Sequence, residues 1–207
     1  MKFRLLLIPA LAALAGGCFS VTDPEIGRWP IDFDTLAKPA ATRNDGTAAS
    51  AAGRGVSAAE SKYGAVRIVQ LAVRSPYDGE GLTVLRADGT VAFDPYNEFA
   101  AIPSHLLRGP VYDAVAASGR FAYVLDASSI ADTEYSIEAT VTRLCLDCRA
   151  PGARNAVCEV RLRLLHERDI VGHYSGTGVA DAADGDYGKA FSRAVSAALA
   201  EALGKLD

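Results

Sequence analysis

The segment AVCEVRLRL, residues 156–164, decides the fold, because an apolar side chain recurs at every second position along it. A period of two predicts a β-strand with one face on a hydrophobic core. The core side would be formed by Ala156, Cys158, Val160, Leu162 and Leu164. A polar turn, HERD, follows at 166–169, and a second strand-like segment occupies 170–177. The two segments together predict an antiparallel hairpin.

The rest of the chain is assigned outward from this hairpin. Further strands are predicted at 65–73, 82–86, 90–93, 121–125 and 135–146, and helices at 102–118 and 186–206. The predicted order is therefore β-β-β-α-β-β-β-β-α. We predict an α+β fold in which an antiparallel β-sheet carries two main helices packed on one face.

A few short signals support these elements. The stretch AVRIVQLAV at 65–73 is apolar on both faces, which predicts a central strand. Asp88-Gly89 predicts a tight hairpin turn in which the glycine has a positive φ. Gly109-Pro110 should kink the first helix or delay its start, and Gly119 should end it.

The first residues have the pattern of a secretory leader. Lys2 and Arg4 precede an apolar run of about a dozen residues, which is too short to span a bilayer. Two glycines and Cys18 follow, as in a bacterial lipoprotein signal. We predict a signal peptide at 1–17 and lipidation of Cys18 by acyl chains such as palmitate; the alternative is an ordinary secreted protein that is cut nearby. Phe19, where an aspartate would indicate inner-membrane retention, favours an outer-membrane anchor with a periplasm-facing domain.

The mature chain is predicted to consist of a flexible tether at 18–62 and a single α+β globular domain at 63–207. Residues 38–61 contain mostly Ala, Gly, Ser and Thr, which cannot offset their own ordering entropy. Inside the tether, the apolar segment 28–36 contains the only tryptophan, Trp29. This segment could be a short strand that anchors the tether to the edge of the sheet, or a motif that contacts a partner.

Charge excludes one class of partner. The 207 residues have a formal net charge of −4, and no cluster of lysine and arginine is visible. Because phosphate binding needs such clusters, we expect no nucleic-acid partner. An acidic surface also disfavours electrostatic docking on anionic lipid, so contact with the membrane would depend on the acyl chains of Cys18.

Three cysteines, Cys145, Cys148 and Cys158, remain for the folded domain. Structural zinc sites usually pair two short knuckles, and only one is present here. A redox Cys-x-x-Cys begins a helix, whereas this pair ends a predicted strand. A hairpin around Pro151-Gly152 would place Cys145 opposite Cys158, so we predict a disulfide between them. Cys148–Cys158 and Cys145–Cys148 are the alternatives.

The sequence contains no pattern that predicts catalysis, a metal or a cofactor. Its three histidines are far apart and form no Ser-His-Asp arrangement. Asp181, Asp184 and Asp186 lack the glutamate that completes a calcium loop, and we interpret them as capping the last helix. The protein is therefore expected not to be an enzyme.

Three segments, followed by the C-terminal helix, resemble a known family. They are VAFDPYNEFAAIPSHLL (91–107), AVAASGRFAYVL (114–125) and RLRLLHERDIVGHYSG (161–176). Together they are similar to the ABC-type transport auxiliary lipoproteins, the PqiC (YmbA) family that serves MCE-type lipid transport. Ser118-Gly119-Arg120-Phe121 matches the family's exit from the first helix, whereas Phe99 replaces a tryptophan and Ile102 a proline. The resemblance implies a periplasm-facing lipoprotein that assists lipid transport without catalysis.

Aromatic residues between 93 and 99 are the candidate partner surface. Phe93, Tyr96 and Phe99 lie close to Pro103 on a predicted loop before a helix, and such loops often carry contacts. Alternatively, they plug one end of the sheet. The protein would be either an accessory subunit that contacts an MCE-type transporter subunit, or an envelope lipoprotein that itself binds a small apolar ligand. An exposed aromatic patch would favour the first function, and an apolar cavity between helices and sheet the second.

Overall fold

The computed structural model describes residues 25–31 and 61–206. The strands are β1 (Gly27–Trp29), β2 (Tyr63–Val73), β3 (Gly81–Leu85), β4 (Val91–Phe99), β5 (Phe121–Leu125), β6 (Tyr135–Asp147), β7 (Asn155–His166) and β8 (Asp169–Asp181). The helices are α1 (Pro103–Leu106), α2 (Arg108–Ala117) and α3 (Tyr187–Gly204). The predicted signal peptide, Cys18 and most of the predicted tether lie outside the described residues. The α+β class is confirmed, and the order from β2 onward is the predicted one, with the first helix divided in two.

The eight-stranded sheet is built around β6. One edge of β6 pairs with β7 along its whole length, and β7 pairs with β8. The other edge is shared by two strands, because β2 pairs with 135–141 and β3 pairs with 146–147. β5 continues the sheet from β2, and β4 and β1 continue it from β3. We call these the β2–β5 branch and the β3–β4–β1 branch. β2 lies between β6 and β5 only at Val66 and Arg67, where the two pairings overlap. The predicted central position therefore holds for the middle of β2 and not for its ends.

The sheet is mixed, whereas the sequence predicted a wholly antiparallel one. β2 and β3 run parallel to β6, β5 runs parallel to β2, and β1 runs parallel to β4. An apolar pattern specifies which face of a strand is buried but not which strand lies beside it. Parallel neighbours need a long crossover, and β2 and β5 are joined by one, which contains β3, β4, α1 and α2.

The predicted turn and cap residues have the expected conformations. Gly89 has a φ of +83° and Gly119 a φ of +66°. The first helix breaks at Leu107, and Pro110 follows in the first turn of α2. Backbone N–H groups in a first turn have no partner within the helix, so the missing N–H of proline costs no hydrogen bond there. Asp186 caps α3 by accepting a hydrogen bond from the backbone N–H of Lys189 at 3.1 Å.

The helices form one layer over the sheet. α3 packs on β7 and β8, and α2 packs on α3 and β5. The predicted apolar stripe of α3 is buried, and it consists of Phe191, Val195, Ala198, Leu199 and Leu203. In the part of the chain that the structure describes, no helix has both the length and the apolar character needed to cross a membrane.

Candidate functional site

The middle of β4 departs from regular pairing at residues 94–97, which we call the β4 bulge. Thr83 of β3 pairs with Phe93, but the next pair joins Gly81 to Glu98. Four residues of β4 therefore stand opposite the single residue Leu82, and the extra backbone leaves the ladder. The predicted loop over 93–99 is thus wrong in its secondary structure, because these residues belong to an interrupted strand.

Asp94 fixes the conformation of the β4 bulge. Its Oδ1 accepts hydrogen bonds from the backbone N–H of Tyr96 at 2.9 Å and from Nδ2 of Asn97 at 3.0 Å. Pro95 has no N–H to donate, and a bulge is one of the positions in a strand where proline is tolerated. Asp, Pro and Asn are also typical turn residues, so Asp94, Pro95 and Asn97 are a local signal in the sequence for an interrupted strand.

The four residues predicted to form the partner surface divide into two exposed and two buried ones. Phe93 is 58% exposed and Tyr96 is 53% exposed. Phe99 is only 2% exposed, and its ring meets that of Phe191 edge-to-face with centroids 5.2 Å apart. Pro103 is buried as the first residue of α1. Phe99 and Pro103 therefore belong to the core, and only Phe93 and Tyr96 remain available to a partner.

β1 joins the sheet beside the β4 bulge. The indole N–H of Trp29 donates to Oδ1 of Asn97 at 2.9 Å, and the guanidinium of Arg28 pairs with Glu98 at 2.7 Å. Ile31 is 5% exposed in the core. The prediction that this segment adds a short strand to the sheet edge is confirmed. Because Asn97 also bonds Asp94, β1 is connected through side chains to the backbone that presents Tyr96.

The predicted disulfide between Cys145 and Cys158 is absent, and all three described cysteines are free. Cys158 pairs with Leu144, whereas Cys145 pairs with Val157. Successive residues of a strand point to opposite faces, so the two thiols lie on opposite sides of the sheet. The alternative Cys148–Cys158 fails because Cys148 lies four residues beyond Leu144, about 13 Å along the strand and far outside bridging distance.

The environment of the thiols suppresses their reactivity. Burial raises the pKa of Cys158 to about 12. Burial also raises the pKa of Cys145, and it outweighs the opposing effect of the Arg143 guanidinium, which lowers it. Because the thiolate is the nucleophile and the metal ligand, neither sulfur is prepared for chemistry. Among residues 25–31 and 61–206, no three His, Cys, Asp or Glu side chains are grouped as a metal site would require.

A groove of about 470 Å³ lies on the β2–β5 branch, and no sequence motif predicted it. Three segments line it: 68–71 of β2, the start of α2 from Arg108 to Tyr112, and residues 126–127, which directly follow β5. The Tyr112 hydroxyl donates to the Val124 carbonyl at 2.9 Å and so holds α2 against β5. Hydrogen bonds from Ser128, and to a smaller extent the charge of Arg108, lower the pKa of Asp126. The groove is thus lined by the Arg108 cation and the ionised carboxylate of Asp126, together with apolar side chains of β2 and α2.

Comparisons with known proteins identify the fold. No protein-family model matches the sequence, and no curated protein is similar to it. Among solved structures, protein XCC0632 from Xanthomonas campestris, of family DUF330, has a TM-score of 0.55 at 18% identity over 70% of this chain and 83% of that chain. Hypothetical protein CT253 from Chlamydia trachomatis has a TM-score of 0.49 at 10% identity, covering 70% of this chain and 95% of that one. The chain therefore shares the fold of this DUF330 protein.

Proposed function

We propose that the protein is a lipid-anchored accessory component of an ABC/MCE-type lipid transport system, and that it acts by protein–protein contact without catalysis. Acyl chains on Cys18 would hold it in the outer membrane, facing the periplasm. Phe93 and Tyr96 would contact a transporter subunit. The observation that carries the proposal is the exposure of these two rings, 58% and 53%, on backbone that Asp94 holds in place.

An exposed aromatic pair on a fixed backbone has the properties of a protein contact site. Aromatic residues are enriched at interfaces and supply much of the binding energy when a partner buries them. The ladder on both sides of the β4 bulge, and the two hydrogen bonds to Asp94, limit the conformational entropy that binding would cost. The backbone that carries Phe93 and Tyr96 would therefore not have to become ordered when a partner binds.

The position of β1 bears on where this surface would lie relative to the membrane. Gly27 lies only nine positions after Cys18, and nine Cα-to-Cα steps span at most about 30 Å. An acyl anchor at Cys18 would therefore keep the β4 bulge near the membrane surface, although the predicted tether runs to residue 62. The proposed partner would accordingly present its binding surface close to the bilayer.

Site-specific photocrosslinking tests the contact. Tyr96 is replaced by p-benzoylphenylalanine in the full chain, in cells that contain the transport system. Tyr123, which is 62% exposed on β5 in the other branch of the sheet, receives the same substitution as a matched control. We expect position 96 to crosslink to a transporter subunit and position 123 not to do so. Equal crosslinking from both positions, or none from position 96, would contradict the proposal.

The anchor has a separate test. In the Cys18→Ala variant the chain should leave the membrane fraction, because the thiol that accepts the acyl chains is missing. Crosslinking from position 96 should then weaken, since the surface is no longer held beside the bilayer. A variant that still fractionates with the membrane would eliminate lipidation at Cys18.

The groove is the feature that would serve the second predicted function, the binding of a small apolar ligand. It is open on one side and contains the charged side chains of Arg108 and Asp126. An enclosed, wholly apolar cavity would suit such a ligand better. Binding of a small apolar ligand in the groove would be detected by displacement of the fluorescent probe N-phenyl-1-naphthylamine.

A further inference from the structure

The outer edge of β8 and the β5-side edge of the second half of β2 differ in how their backbone groups are satisfied. β8 is the last strand beyond β7, and two side chains at the C-terminal end of α3, one in its last turns and one on the residue after it, reach the edge of β8. Glu201 accepts a hydrogen bond from the backbone N–H of Thr177 at 2.9 Å, and Nζ of Lys205 donates to the Ser175 carbonyl at 2.7 Å. These bonds occupy backbone groups that an edge strand would otherwise offer to another chain.

The second half of β2 has an open edge. β5 pairs with β2 only from Tyr63 to Arg67, whereas β6 pairs with the opposite edge as far as Val73. Within the described ranges, neither a strand nor a side chain bonds to the backbone of 68–73 on the β5 side. Backbone N–H and C=O groups on this edge are therefore free to pair, and residues 68–71 line the groove.

The groove matches an extended segment in length and character. Residues 68–71 of β2 span about 13 Å, and the pairing of β2 with β6 is irregular between Ile68 and Gln70. Ile68, Leu71 and Val111 supply apolar lining, and Arg108 and Asp126 contribute charges of opposite sign. Because the charges of Arg108 and Asp126 cancel, the groove favours an occupant without net charge. The unpaired backbone of β2 favours a polypeptide, whose N–H and C=O groups can pair with it.

We propose that the open edge of β2 binds a partner polypeptide in extended conformation, which adds to the sheet as a strand in line with β5. Main-chain hydrogen bonds to 68–71 would supply affinity, and alternate apolar side chains entering the groove beside Val111 would supply selectivity. The site lies on the β2–β5 branch, away from the β4 bulge, and so does not depend on the proposed transport function.

A random library of displayed ten-residue peptides, selected on the full chain in detergent, tests the site. We expect enriched peptides to alternate apolar and polar residues. Synthetic versions should shift the amide resonances of 68–73 in the ¹⁵N-labelled protein. Peptides N-methylated at alternate positions should bind at least about ten-fold more weakly, because they lack the donors that strand pairing needs.

Two substitutions localise the binding. Gly109 lines the groove, and a Cβ there would meet nothing within 4 Å, so Gly109→Trp should fill the groove and weaken binding at least about ten-fold. Gly79→Trp, at an equally open loop position, is the matched control and should leave affinity unchanged. Should Gly109→Trp not fold, Val69→Lys at the 42% exposed edge position should give the same loss.

Three outcomes would overturn the proposal. One is that no peptide is enriched, and another is that the resonance shifts lie outside 68–73 and the groove. The third is equal affinity of the N-methylated peptides, which would mean that the groove recognises apolar side chains alone. In that case displacement of the fluorescent probe N-phenyl-1-naphthylamine would identify a small-molecule pocket.

Discussion

Gly178 in β8 lies against the backbone of Ala194 in α3, so closely that a Cβ at position 178 would overlap the Ala194 carbonyl oxygen. Gly176 has the same relation to Ala198, four residues further along the helix. Both glycines share the core face of β8, and both are buried. Two positions without side chains thus set the distance between the last strand and the helix that covers it.

We expect Gly178→Ala to lower the free energy of unfolding by about 1–3 kcal/mol or more, because the added methyl group meets backbone that cannot rotate away. Urea unfolding at constant pH measures the change. Gly204→Ala is the matched control, since a Cβ at this position in the last turn of α3 meets nothing within 4 Å. It should be neutral or slightly stabilising, because alanine is the better helix former. Equal stability of Gly178→Ala and the unmodified chain would contradict this packing.

Periodic patterns predicted the faces of the elements correctly. β7 buries the alternate residues that defined it, and α3 buries its stripe, because the spacing of apolar residues reports directly on burial. Local turn chemistry was equally informative at Gly89 and Gly119, whose positive φ follows from a short-range rule. These features depend on residues that are close together in sequence.

Neighbours and register could not be predicted in the same way. An irregularity between Val141 and Arg143 and a connection of seven residues, 148–154, set how β6 meets β7. A slip of one residue exchanges the two faces of a strand, which is why the predicted partner of Cys158 was wrong. The groove depends on where β5 ends relative to β2, and no residue pattern encodes that difference.

Alkylation by iodoacetamide should distinguish the three described thiols. We expect Cys148, which is partly exposed, to react first, and Cys158 to react last because it is 1% exposed and its pKa is raised to about 12. Peptide mapping of the unreduced native chain measures each site separately. After denaturation without reductant all three should react. A peptide pair linked through Cys145 and Cys158 would contradict the register of β6 and β7.

Truncation of the aromatic residues should separate core from surface. Phe99→Ala should cost about 3–5 kcal/mol of unfolding free energy, because it leaves a cavity against Phe191. Phe93→Ala and Tyr96→Ala should cost less than about 1 kcal/mol, since both side chains are more than half exposed. Thermal and urea unfolding provide the measurement. A large loss from either exposed residue would mean that it is a structural plug, as the alternative interpretation of the sequence held.

The bond between Glu201 and Thr177 should make stability depend on pH. Hydrogen bonds from Lys205 and from the Thr177 N–H lower the pKa of Glu201 in the folded chain. A carboxyl group whose pKa is lower in the folded than in the unfolded chain stabilises the fold at pH values above its unfolded pKa, which is near 4.3 for glutamate. This stabilisation is lost as the pH falls through the pKa of the folded chain. We therefore expect Glu201→Gln to be less stable than the unmodified chain at pH 7, and the difference to disappear at low pH.

Urea unfolding of both chains at pH 7 and at pH 3 measures this difference. Lys189→Gln is the control, because its contact with Asp186 is a loose 3.9 Å pair at the start of the same helix and involves no strand edge. The free edge of β8 gives a second readout: hydrogen exchange at the Thr177 amide should accelerate in Glu201→Gln at pH 7, since the amide bonds less strongly to a neutral oxygen than to a carboxylate. Unchanged exchange at this amide, together with a pH-independent difference in stability, would mean that Glu201 does not cap the edge of β8.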